Sequence, residues 1–265
     1  MDLFKQALAP IPTEAWDEIN DRAKEVILSQ LTARRVLFVS GPKGLDTNSV
    51  PQGRLKTIKP VKEGEIGVGI YDVLPLMETR IEFELSRWEL DNILRGEKDT
   101  ELDGLEEAAE KLALYEEDSI YNGNKQAGIK GLNEVAGKRI KLTKNANDIL
   151  RAISEGAFAI NDAYAEKPYD LMVSDEVYTR LNQMYEGALL RHYVEAIIGG
   201  EVVRSRVLKG ALLIPRDHED LELTIGQDYS VGFENYDSDN VRLFVMNSFT
   251  FRCLDENIVV AFDID

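Results

Sequence analysis

The stretch from Leu74 to Leu132 changes its hydrophobic period partway along, and that change restricts the chain to folds in which a strand-rich layer meets a long helix. Between Met77 and Leu85 the apolar Ile81, Phe83 and Leu85 alternate with Glu82 and Glu84. A period of two marks a strand with one face buried. From Asp103 the apolar positions are Leu105, Ala108, Ala109, Leu112, Tyr115 and Ile120, with Glu and Lys between them. That spacing lays one apolar stripe along a helix of about five turns. Asp103 is placed to cap it, Glu106 stands three positions on, and Gly123 follows the last turn. A helix with a single apolar stripe has to bury it against another layer, so the remainder must supply a sheet.

Strand patterns supply it at the end of the chain. Leu223–Ile225, Tyr229–Phe233, Val241–Phe251 and Ile258–Ile264 read as strands, so residues 76–135 and 222–265 are expected to form one unit with the helix on their sheet. Residues 136–221 between them alternate helix and strand, the pattern of an inserted α/β unit. Its helices are marked by Ile149, Leu150, Ile153, Ala157 and Ile160, by Glu176–Met184 behind an Asp175 cap, and by Tyr193–Ile198 ahead of Gly199-Gly200. Its strands are Leu171–Val173, Val202–Val207 and Ala211–Ile214.

Upstream, residues 1–42 hold a helix capped by Thr13 and a strand over Val36–Val39, stopped at Gly41-Pro42. Residues 43–75 hold two extended runs, Arg54–Lys59 and Ile66–Val73, joined by a turn at Val61–Gly64, with little apolar surface of their own. A two-stranded ribbon is marginal by itself. It reads as an arm that pairs with a neighbouring subunit. The class is α+β.

Charge and composition exclude several functions. Lys and Arg total 31 against 48 Asp and Glu, a net charge of −17, so phosphate backbones and anionic lipid are repelled and neither nucleic acid nor membrane is an expected partner. The N-terminus lacks the basic start and apolar run of a signal peptide, and a cytoplasmic location is expected. The one cysteine, Cys253, cannot close an intrachain disulfide and reads as a buried, inert thiol. The two histidines, His192 and His218, stand in no metal-ligand spacing, and there is no nucleophile elbow or phosphate loop. Carboxylate pairs such as Glu106/Glu110 and Glu116/Glu117 read as solvated helix faces. No catalytic residue and no metal site is expected.

Several segments together resemble the encapsulins, also called linocin-like bacteriocins. These are Leu8-Ala9-Pro10 with Trp16, Arg34-Arg35-Val36 before Gly41-Pro42, Leu74-Pro75-Leu76, and Trp88 to Asn92 with Arg95-Gly96. They continue through Glu117-Asp118, Ile120-Tyr121, Gly123 and Gly128-Ile129 to Gly226-Gln227-Asp228, Val241 to Phe244 and Phe249-Thr250-Phe251. The resemblance implies an HK97 capsid-like fold with an extended-loop arm, a peripheral domain carrying a long spine helix, and an inserted axial domain. It implies a non-enzymatic subunit that self-assembles into an icosahedral shell of sixty copies or a multiple. The shell would enclose a cargo enzyme, a ferritin-like protein or a peroxidase, held by its C-terminal targeting peptide. By position the peptide groove would involve Arg34, Val36, Phe38, Ile225, Asp228, Tyr229, Val231 and Phe233. The fivefold pore loop would be Glu186, Gly187, Ala188, Leu189, Leu190 and Arg191, which lacks the proline of many relatives. Some relatives bind a flavin (FMN) at a tryptophan matching Trp88, with Arg80 as its companion here. The alternatives are a phage major capsid protein packaging DNA, which the acidity opposes, and a soluble enzyme such as a protease.

Overall fold

The computed structural model describes residues 3–59, 63, 64 and 66–264. The first helix, α1 (Thr13–Gln30), starts from an extended Pro12 at its N-cap, so Thr13 is its first residue and not its cap. A single turn of 3-10 helix over Ala33–Arg35 then reverses the chain into strand β1 (Phe38–Ser40), placing Val36 before the strand. The arm follows as β2 (Ser49–Lys59) and β3 (Val68–Pro75), paired only with each other. The expected turn at Val61–Gly64 falls partly outside the described residues. Contrary to the expectation of little apolar surface, the arm exposes Leu55, Ile58, Ile70, Tyr71 and Val73, with Tyr71 79% exposed.

Strand β4 (Met77–Ser86) leads through α2 (Arg87–Leu94) to the long helix α3 (Asp103–Tyr121). Leu102, not Asp103, takes the N-cap of α3 and makes no side-chain cap. At the other end Gly123 adopts φ +89°, the left-handed conformation that glycine adopts without strain, and ends the helix as expected. A short α4 (Leu132–Val135) then leads into β5 (Lys138–Leu142). The inserted unit continues with α5 (Ala146–Asp162), β6 (Tyr169–Val173) and α6 (Asp175–Leu181). Ser174 caps α6 by accepting from Val177 N–H, so Asp175 lies inside the helix, which ends three residues before the expected Met184.

Met184, read as the end of that helix, instead opens a small hairpin, β7 (Met184–Tyr185) and β8 (Ala188–Leu189). Glu186 and Gly187 make its two-residue turn with φ of 45° and 91°, the all-positive turn whose twist suits a hairpin. Helix α7 (Leu190–Ile198) follows, then β9 (Gly199–Arg204), β10 (Ala211–Pro215), β11 (Leu221–Ile225), β12 (Ser230–Tyr236), β13 (Asn240–Cys253) and β14 (Val260–Ile264).

Two five-stranded sheets result. In the first, β13 is the spine: β4 pairs along it from Asn240 to Phe249, while β12 and β11 lie in series against it, with β1 parallel to β11. Helix α3 lies on this sheet and α1 packs on α3. Ile19, Ala23, Leu105, Ala109, Leu112, Phe83, Leu85 and Leu243 share one buried core there. The second sheet runs β5-β14-β10-β6-β9. Its last member corrects the expected division: β14 lies parallel to β5 and antiparallel to β10, so the chain's final strand leaves the sheet of residues 222–253 and completes the inserted one. A strand rich in Val, Ala, Phe and Ile is equally at home in either sheet, and only register decides between them.

Among the described residues no helix is long and apolar enough to cross a membrane. Cys253 ends β13, half-buried, with its thiol pushed up to about 12 chiefly by burial, in line with an inert group. Among the described residues this ribbon meets no other strand, and its apolar side chains are left uncovered within the subunit. Deleting residues 53–73 is expected to leave a folded subunit with its circular dichroism intact while abolishing particles in size-exclusion chromatography; particles of normal size would remove the arm from assembly.

Candidate functional site

Helix α1 and the beginning of β12 face each other across a cavity of about 320 Å³. Ala23, Ile27, Leu28 and Leu31 line it from the helix side, and Tyr229, Val231 and Val245 from the sheet. Asn20 and Lys24 stand at its polar rim and Arg34 and Asp228 also line it. The apolar stripe of α1 is wider than its packing needs: Ala15, Trp16, Ile19, Ala23 and Ile27 are buried, while Leu28 remains 59% exposed in the groove. An apolar cleft with a few fixed polar groups suits one or two apolar side chains of an extended peptide.

Arg34 is held by charges beneath it. Its Nε donates to Glu116 Oε1 at 2.7 Å and its Nη2 to Oε2 at 2.8 Å, while Nη1 donates to Asp228 Oδ1 at 2.7 Å. Glu116 has no solvent exposure and also accepts from the Tyr229 hydroxyl (2.9 Å) and Asn247 Nδ2 (2.7 Å). The guanidinium lies 4.9 Å from the Tyr229 ring centre. Burial works to lower the Arg34 pKa, but the hydrogen bonds and charges of Glu116 and Asp228 outweigh it and raise the value above the ordinary arginine range. Burial and the adjacent Glu116 charge push the Tyr229 phenol well above its usual value.

The next residue of α3, Glu117, caps the turn that follows α1. It accepts from the backbone N–H of Thr32 (2.9 Å) and Ala33 (2.8 Å) and from the Thr32 hydroxyl, which also lies 2.9 Å from the Tyr121 hydroxyl. Burial pushes the Glu117 carboxyl up to about 7, against the lowering effect of those hydrogen bonds. The expectation that Glu116 and Glu117 lie on a solvated helix face is therefore wrong: both are buried structural acids. Nothing local distinguishes them from the other glutamates of α3, because their partners come from remote segments.

Of the expected groove residues, the fold brings Arg34, Asp228, Tyr229 and Val231 to the cavity. Val36 and Ile225 are buried in the other core, Phe233 packs in the core beneath α1 and α3, and Phe38 is half-buried in β1, so these four do not line it. Phe233 shares the Val231 face of β12 but lies two residues further along, and Val36, Phe38 and Ile225 belong to segments that do not reach the cavity. Leu28, Lys24 and Asn20 were missed, although the i, i+3 relation of Leu28 to Leu31 was the available signal.

In the pore segment Glu186 and Gly187 form the exposed turn and Ala188 and Leu189 its returning strand. Leu190 is buried at the start of α7, and Arg191 is turned inward to the Tyr178 hydroxyl (3.2 Å) and Glu195 (3.5 Å). Trp88 is 69% exposed, but its cationic neighbour is Arg95, 5.7 Å from the ring, and not Arg80. Arg80 lies 3.5 Å over the Phe244 ring and is paired with Glu234 at 2.5 Å. Trp88 and Arg80 are therefore not paired with each other within the subunit. Neither histidine joins a ligand set, and among the described residues no cluster of His, Cys, Asp and Glu is arranged to hold a metal.

Residues 1–250 match the family model described as an encapsulating protein for peroxidase. The chain is 31% identical over 256 residues to a type 1 encapsulin shell protein of Rhodococcus erythropolis, covering 96% of this chain and 97% of that one. It is 32% identical over 267 residues to the corresponding shell protein of Rhodospirillum rubrum, covering 98% and 95%. In three dimensions it is similar to a virus-like particle subunit from Pyrococcus furiosus at 16% identity, with a TM-score of 0.71 over 95% of this chain and all of that one. The capsid protein of Myoviridae phage XM1 superimposes with a TM-score of 0.60 at 13% identity, covering 87% of this chain and 90% of that one. The fold is HK97-like.

Two outcomes follow from the buried acids. Glu116→Ala strands Arg34, Tyr229 and Asn247 and is expected to cost about 3–5 kcal/mol in urea unfolding, as for a broken buried ion pair. A loss below ~1 kcal/mol would mean that Asp228 alone neutralises Arg34. Glu117 titrates near 7 in the fold against 4.5 for the free group, so the native state holds its proton more tightly. Its contribution is therefore complete below pH 4.5 and is lost as the pH rises towards 7, by about 3 kcal/mol. Glu117→Gln should flatten that part of the stability–pH curve, and parallel curves for the two proteins would refute the assignment.

Proposed function

This chain belongs to the family of encapsulating shell proteins, and on that premise we propose that it is the subunit of a closed icosahedral nanocompartment with a structural, non-enzymatic role. The observation that carries the reading is the arm, whose exposed Leu55, Ile58, Ile70 and Tyr71 meet no strand other than their own hairpin partner. In a closed shell each arm finds its missing surface on a neighbouring copy, so small apolar contacts are multiplied over every interface. The Glu186-Gly187 turn is assigned to the rim of a pore for small solutes. The shell assembles in the cytoplasm around its cargo.

The cargo is an enzyme, a ferritin-like protein or a peroxidase, whose C-terminal peptide enters the groove between α1 and β12. Leu28, Leu31 and Val231 take an apolar side chain, and Lys24 and Asn20 are free at the rim to meet polar groups of the peptide. Arg34 positions the groove floor, with three of its five N–H donors already given to Glu116 and Asp228. An FMN stacked on the exposed Trp88 would have Arg95, and not Arg80, as its cationic neighbour.

Negative-stain electron microscopy of the purified protein is expected to show closed, uniform particles; a stable monomer or dimer at micromolar concentration would sink the reading. Leu28→Asp places a charge in the groove without touching the core. It is expected to retain particles but to lose at least nine-tenths of a co-expressed fluorescent reporter bearing the C-terminal tail of the enzyme encoded beside this gene. Full loading of that variant would place the tail elsewhere.

A further inference from the structure

Strand β12 ends the first sheet, and among the described residues no strand lies beside its outer edge. An open edge is a template for an extended chain. In this protein the edge is already partly used. Phe233 donates its backbone N–H to Phe4 O at 2.8 Å, and Gln6 Nε2 donates to Val231 O at 2.7 Å. The Phe4 ring stacks on Phe244 with centroids 6.4 Å apart and an interplanar angle of 25°. Residues 4–6 therefore lie on the edge in the manner of a bound peptide, using a main-chain bond, a side-chain amide bond and an aromatic anchor.

Val231 is shared between this contact and the groove, since it also lines the cavity with Tyr229 and Ser230. The segment shows local strain and exposure. Lys5 between the two anchors sits at φ 48°, ψ 26°, a left-handed conformation that disfavours a lysine. Leu3 and Leu8 on either side are exposed, Leu8 by 71%. Any peptide that enters the groove and extends along β12 needs the Val231 carbonyl and the Phe233 N–H, the two groups that Gln6 and Phe4 occupy.

We propose that the chain's own N-terminal segment, Phe4–Gln6, is an intramolecular competitor for the β12 edge, displaced when an extended peptide pairs with Val231 and Phe233. The inference rests on the groove proposed above for its biological occupant, but the edge contact itself does not. The segment acts as a threshold: a peptide that only fills the cavity leaves it in place, while one that also pairs along β12 must expel it. Tethering gives the segment a high effective concentration. If it is docked about nine-tenths of the time, the edge is free for one-tenth and the apparent affinity for a competing peptide falls about tenfold.

The test uses a fluorescein-labelled synthetic copy of residues 3–8, titrated by anisotropy onto assembled full-length protein and onto protein lacking residues 2–8. Saturable binding to the truncated protein, at least tenfold tighter than to the full-length one, is expected. Equal binding to both, or none to the truncated protein, overturns the proposal. Should the truncated chain fail to fold, full-length Gln6→Ala serves instead: faster amide hydrogen exchange at Phe233 with tighter peptide binding is expected, and unchanged exchange and binding overturn it. The neighbouring enzyme's C-terminal tail distinguishes the two readings. Displacement of the labelled peptide by that tail supports both. A tail that binds neither protein, while the labelled peptide binds only the truncated one, supports the edge competition and counts against the cargo groove.

Discussion

A carboxylate with no access to water has to be neutralised where it stands, because burying an uncompensated charge costs several kcal/mol. Glu116 is such a group, and its partners come from three places that are remote in sequence: Arg34 after α1, Tyr229 before β12 and Asn247 within β13. Satisfying it fixes where α1 ends relative to the sheet and how β12 begins. Glu117 adds the backbone of Thr32 and Ala33 to the same helix turn. The groove is therefore a by-product of a buried charge network. Its apolar walls come from α1 and β12, and its width is set by the acids of α3 beneath them.

This arrangement separates rigidity from recognition. The residues that look most capable of binding, Arg34 and Tyr229, are committed to Glu116, and the residues left free are Leu28, Lys24 and Asn20 on the exposed flank of α1. A preorganised cleft of this kind loses little conformational entropy when an extended peptide enters. The arm shows the opposite strategy. Its strands pair with each other but leave their apolar side chains to solvent within the subunit.

Much of the fold was legible in the chain. The change of period between Met77–Leu85 and Leu105–Ile120 placed β4 and α3, Gly123 ended the helix, and a weak ribbon stood out before Met77. The groove was half legible. Arg34, Asp228, Tyr229 and Val231 line it, whereas Val36 and Ile225 are buried in the other core and Phe233, on the same face of β12 as Val231, lies one step further along beneath α1 and α3. The family relationship could locate the segment but not which of its residues reach the cavity.

Local pattern is carried by neighbours within a few residues, and it was enough to specify helices, most strands and the ribbon of the arm. Three matters were left to the tertiary structure. The last strand, β14, joined the inserted sheet by register with β5 and β10, a choice its uniformly apolar sequence does not encode. Glu116 and Glu117 were buried although they sit in a run of solvated glutamates, since burial became affordable only when Arg34, Asn247 and the Thr32 backbone arrived from elsewhere. Residues 4–6 met the edge of β12 across more than 200 positions of chain. Each of these depends on partners brought together by long-range packing, and no local period records them.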